Sequence, residues 1–254
     1  MFVYEYPVFE KKRILKAEMM EGLRDFPHSL AGLYFGEYAD GILAGCSIDW
    51  EEGRLRLEGG MLCYNRQLYI MENRTEIPTP QDNKLRYLKV HFWAPEKEPD
   101  KIRAIGRLAL EEEEPGEGEL ELCRFCLQSG ARLRCRYMDF KDYGTQFNTV
   151  IRIHTSYSAK SAATMWQEML YDFAGEMLES GHNSHPYDAP FLLACMNADR
   201  PVSRRMIEGY LLARSGRDLR KGTLADLYHA LLDVLTDRQA YDGPPQSRKK
   251  VMIY

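Results

Sequence analysis

The hydrophobic period of this chain turns from strand to helix near Ser156, and that change limits what it can fold into. Before it, the stretch "DGILAGCSIDWEEGRLRLEGGMLCYNRQLYI" from Asp40 to Ile70 alternates apolar and polar residues. Ile42, Ala44, Cys46 and Ile48 share one parity, as do Leu55 and Leu57. A period of two belongs to a strand with one buried face. After the change, Met165, Met169, Phe173 and Met177 recur every fourth residue, with Trp166 and Leu170 beside them, which is a helical stripe. Strands followed by helices predict an α+β chain.

Within that frame, residues 1–39 read as an arm and flanking helices, 40–155 as a β-rich module, 156–240 as a helical part and 241–254 as a flexible tail. The β-rich module is expected to be a small sandwich or barrel-like meander. Leu15, Met19, Leu23 and Phe26 form a first helical stripe, which Pro27 is expected to close because proline cannot donate to the helical ladder. Leu30, Leu33, Tyr34 and Tyr38 suggest a second short helix. Glu51-Glu-Gly53, Glu58-Gly-Gly60 and Tyr64-Asn-Arg66 predict turns, so residues 41–71 read as about four strands. Residues 84–93 make a strong strand, with Lys89, His91 and Trp93 on one face and Leu88, Val90 and Phe92 on the other. Further strands are expected at 102–110, 119–127, 132–140 and 147–155. Gly216 should end one late helix, and Thr223 to Asp226 resembles a capping box ahead of the last.

The quoted stretch resembles the N-terminal β module of tail-fibre and baseplate proteins from phages and phage-derived contractile particles. "DGILAGC", then "RLRLEGGMLCYNRQLY", then a strand of the "LRYLKVHFW" type carry the resemblance over roughly residues 40–110. It implies a structural, non-enzymatic assembly protein, made in the cytoplasm and built into a phage-like particle. Other tail or baseplate proteins would be its partners, with copies of the chain itself as a further partner class. The aromatic N-terminal residues Phe2, Tyr4 and Tyr6, together with Trp166 and Phe173 of the helical stripe, are the interface candidates.

Competing chemistry is incomplete. Cys123, Cys126 and Cys135 lack a matched fourth ligand for zinc, and no cofactor motif or P-loop occurs. The six scattered cysteines fit reduced thiols. His182, His185 and Asp188 would serve a small hydrolase or metal enzyme, but they lie in a helix connection where polar residues are expected. The acidic run from Glu111 to Glu114 reads as a solvated turn. A basic segment offers Arg200, Arg204, Arg205, Arg214, Arg217, Arg220 and Lys221 to phosphate, which makes a nucleic-acid-binding module the main alternative. The net charge of −4 argues only against whole-surface attraction to nucleic acid, and binding by this patch is expected to be weak and salt-sensitive. No run of about 18 apolar residues marks a membrane span.

Overall fold

A computed structural model of the chain describes residues 6–12, 14–181, 183–197 and 201–236. The fold is α+β, strand-rich first and helical after. Helix α1 (Ala17–Phe35) precedes strands β1 (Gly41–Gly45), β2 (Ile48–Glu51), β3 (Arg54–Leu57), β4 (Gly60–Tyr64), β5 (Gln67–Met71) and β6 (Thr75–Pro78). Then come β7 (Leu85–Phe92), the short pair β8 (Glu96–Lys97) and β9 (Ile102–Arg103), β10 (Gly106–Glu111) and β11 (Glu119–Cys126). A 3-10 turn (Phe140–Gly144) leads to α2 (Gln167–Ser180), α3 (Asp188–Met196), α4 (Arg204–Ser215) and α5 (Leu224–Thr236).

The strands of 41–71 do not form a meander. β1 pairs with β4 and β4 with β5, while β2, β3 and β6 make a separate sheet, all antiparallel. The β2–β3 hairpin is therefore an excursion between β1 and β4. Its corner needs glycine: a Cβ on Gly45, at φ +66, would overlap the Gly59 carbonyl. The expected tight turns at 52–53 and 65–66 are present, with positive φ at both central residues of each, as a two-residue type I′ hairpin requires.

The third sheet has the order β10-β7-β11, antiparallel throughout. Its inner face puts Leu88, Val90, Leu120 and Leu122 into one core with Ile42, Leu55 and Leu57. A second core gathers α2 to α5 around Phe173, Leu192, Leu211 and Tyr228. Phe140, Tyr143, Ile151 and Ile153 belong to it too, so the chain just before Ser156 packs on the helices.

Three further expectations fail. The strands predicted at 132–140 and 147–155 are absent as strands: only isolated bridges such as Arg134↔Thr149 and Arg124↔Ile151 form. Alternation existed there, but the bidentate Arg134–Asp142 pair, two bonds of 2.7 Å, turns the chain away from a continuous ladder. Pro27 does not end its helix either; α1 runs through it to Phe35 as one helix. Downstream, Gly216 caps α4 in the left-handed region as expected, and Thr223 and Asp226 exchange backbone bonds of 2.6 and 3.2 Å at the start of α5. No helix among the described residues is long and apolar enough to cross a membrane.

Candidate functional site

Helix α1 buries none of its residues in its own chain. Leu23, Phe26, Leu30 and Leu33 are 46 to 85% exposed. At about 3.6 residues per turn, these four lie on one side of the helix and His28, Ala31 and Gly32 on the other. The latter three line a cleft of about 810 Å³ whose opposite wall is the open side of the β module, including Tyr69, Ile105 and Leu108. The helix thus turns its polar and small face to its own fold and its apolar stripe outward. Intrinsic preference does not hold it: two interior glycines cost about 1 kcal/mol each and an interior proline about 3, relative to alanine. Most helical stability in proteins comes from packing an apolar face against something else. The residues before it continue the apolar surface, with Tyr6 67% and Phe9 54% exposed.

The outer face of the β10-β7-β11 sheet is the second unusual feature. Lys89 is 2% exposed in mid-strand. Its ammonium lies 2.9 Å from both Glu111 and Glu119. His91 reaches the same two carboxylates, at 2.7 Å to Glu119 and 3.2 Å to Glu111. Burial opposes the charge on Lys89, but its bonds to Glu119 and Glu111 outweigh that and raise its pKa. Burial likewise opposes ionisation of Glu119, yet the Gly116 N–H and Lys89 hold it below the usual range. Both shifts favour the charged forms, the opposite of what proton transfer near neutral pH needs. His91, Glu111 and Glu119 offer ligand atoms within 4.8 Å of one another, but Lys89 supplies the positive charge there. Further along the face, Glu121 pairs with Arg124 at 2.8 Å, and Arg124 lies 4.7 Å from the Tyr87 ring centre. The acidic run is accordingly not a merely solvated turn. Glu111 joins the cluster, Glu112 pairs with Lys84 and Arg86, and Glu114 accepts from the Tyr87 hydroxyl.

The sequence-derived candidates separate on inspection. Phe2 and Tyr4 lie outside the described residues; Tyr6 is exposed. Phe173 is 0% exposed, ringed by Phe140, Phe191 and Tyr210, so it is core and not a contact surface. Trp166 is half-buried at the start of α2, stacked against Tyr157 and under the Arg152 guanidinium at 4.3 Å. Arg152 also donates to the Cys46 carbonyl at 3.2 Å, so this pair joins the two cores.

His182 falls outside the described residues. Asp188 is fully buried: it accepts from the Tyr210 hydroxyl at 2.9 Å and the His185 N–H at 3.0 Å, with Arg214 at 3.4 Å. The carboxylate ties α3 to α4 and is closed to substrate. Cys123 and Cys126 are buried on β11, and burial pushes the Cys135 thiol up to about 12.

The basic segment is largely self-neutralised. Arg200 is outside the described residues. Arg204 pairs with Glu208, Arg217 with Asp233, and Arg220 with Asp218. Arg205 and Lys221 are exposed beside these pairs.

The sequence pointed to the N-terminal arm and to the stripe starting at Leu15, but not to the orientation of α1. Parity placed Lys89 and His91 together, while nothing local signalled Glu111 and Glu119 as their partners.

No protein-family model matches the chain, and no curated protein matches it. Among solved structures it is similar in outline to one described as the crystal structure of TssK, at 10% identity and a TM-score of 0.43. That match covers 92% of this chain and 72% of the other. A chain of the TssK-TssF-TssG baseplate subcomplex of the type VI secretion system, seen by cryo-electron microscopy, is similar at 10% identity and a TM-score of 0.41. It covers 92% of this chain and 99% of that one.

Proposed function

We propose that the chain is a structural assembly component of a phage-like tail or baseplate, working through contacts with other proteins of that particle. The outward apolar stripe of α1 carries this reading. Exposed apolar surface of this extent marks a contact site in a soluble chain, because leaving it in water forfeits about 25 cal/mol for every Å² that a partner would cover. Tyr6, Val8 and Phe9 of the arm are exposed as well, so arm and helix both offer apolar side chains to a partner. The resemblance of residues 40–110 to tail-fibre and baseplate β modules supplies the kind of particle. The charged sheet face fits the same role: paired charges keep a β face rigid and soluble without offering a reactive group.

The experiment is co-purification of tagged chains with the assembled particle from the native producer. The full chain is expected in the particle, and deletion of residues 1–9 should lower its incorporation while circular dichroism stays unchanged. A full chain that joins no assembly and turns over a small substrate instead would overturn the proposal.

A further inference from the structure

We infer that α1 is an oligomerisation helix whose apolar stripe packs against the α1 helices of other copies of this chain. The inference rests on the reading of α1 as a contact surface and names what covers it.

The spacing of the stripe suits a helical partner. Met19, Leu23, Phe26, Leu30 and Leu33 follow one another at four, three, four and three residues. That is the alternation of the two core positions of a heptad repeat, and it suits helix-on-helix packing, in which each side chain enters a hole between four residues of the facing helix.

The flanks of the seam suit a second identical helix. On one side lie Met20, Pro27 and Tyr34, and on the other Gly22, Ser29 and Gly36. None carries a charge, so two copies meet without like-charge repulsion at the positions that usually set partner choice. The charged residues Glu21, Arg24, Asp25 and His28 sit away from the seam, and Arg24 and Asp25 already pair with each other. An unlike partner selected by charge would find nothing to read there. Small residues on one flank let backbones approach, and apolar residues on the other widen the buried strip.

The area is sufficient. Eight large apolar side chains from Ile14 to Tyr34 are 46% exposed or more. Together they offer an area on the order of the ~800 Å² per partner of a standard interface. Because α1 buries nothing in its own chain, this association leaves both internal cores untouched.

The test is the mass of the full-length chain in solution, by light scattering behind size exclusion at tens of micromolar. The wild type is expected at a multiple of the chain mass. Leu23→Glu with Leu30→Glu should lower that mass at least twofold. Melting of the β module and the helical core should stay unchanged, since these side chains touch neither. Glu21→Gln, off the seam, should keep the multimer. A multimer that survives the double glutamate variant would overturn the inference. So would a wild-type chain that runs as a single copy. If such a single chain still needs the stripe to enter the particle, the partner is an unlike protein, and the assembly reading stands while this inference falls.

Discussion

Replacing Lys89 by methionine removes one ammonium and keeps most of the stem. It leaves Glu111 and Glu119, each 2.9 Å from the lost nitrogen, facing one another with only His91 between them. Removing one partner of a buried ion pair costs about 3–5 kcal/mol, chiefly because the remaining charge is stranded. Glu119 is well enclosed, but Glu111 has 37% of its side chain exposed and water there takes up part of the deficit, which favours the lower end of that range. At about 2–4 °C per kcal/mol for a chain of this size, a loss near 3 kcal/mol lowers the melting temperature by about 6–12 °C. Thermal melts of the two proteins measure the shift, and urea unfolding measures the free energy. Adding Glu119→Gln to Lys89→Met should recover part of the loss, since the second change removes a charge the first has stranded. A divalent cation should stabilise Lys89→Met through His91, Glu111 and Glu119, and leave the wild type unmoved because Lys89 already neutralises that position. A Lys89→Met protein within about 1 kcal/mol of wild type would refute the claim that this cluster is held by charge balance.

Two further outcomes are expected. Acid should destabilise the fold in two stages: burial, with Arg124 nearby, holds His154 down to about 4, so its contribution is present above the ordinary histidine range and is lost as pH falls through roughly 6.5 to 4. Asp142, held to about 2 first by its Arg134 bonds, contributes above the ordinary carboxylate range and loses about 2 kcal/mol as pH falls from about 4 to 2, so melts taken across the acid range should show both steps. Duplex DNA should bind weakly and with a shallow salt slope, because Arg204, Arg217 and Arg220 are already paired with carboxylates; tight, sequence-specific binding in a fluorescence titration at physiological salt would restore the nucleic-acid reading.

Local chemistry was legible in the sequence where it acts within a few residues. Asn65 and Arg66 turn as their neighbours require, Gly216 stops α4, and Thr223 with Asp226 opens α5. Pairings across the chain were not. β1 joins β4 over an intervening hairpin, and no residue of β1 announces that choice. Residues 132–140 alternate as a strand does, yet a strand needs a continuous partner, and here only isolated bridges form while Arg134 pairs with Asp142. The stripe of α1 was readable as a helix face, but its outward direction depends on where the β module lies. Phe173 shows the reverse case: its four-residue ladder fits an interface as well as a core, and only the surrounding rings of Phe140, Phe191 and Tyr210 decide for core.

Oxidative footprinting of the native particle tests the central claim, that another chain covers the stripe of α1. Met20 and Phe26, 49 and 53% exposed in the single chain, are the reporters, with Met138 at 82% and Tyr187 at 56% as exposed references. The buried Met169 and Met177 set the protected limit. Met20 and Phe26 are expected to be protected close to that limit in the particle, while at least one reference is labelled. Labelling of Met20 and Phe26 as strong as that of Met138 would contradict the account.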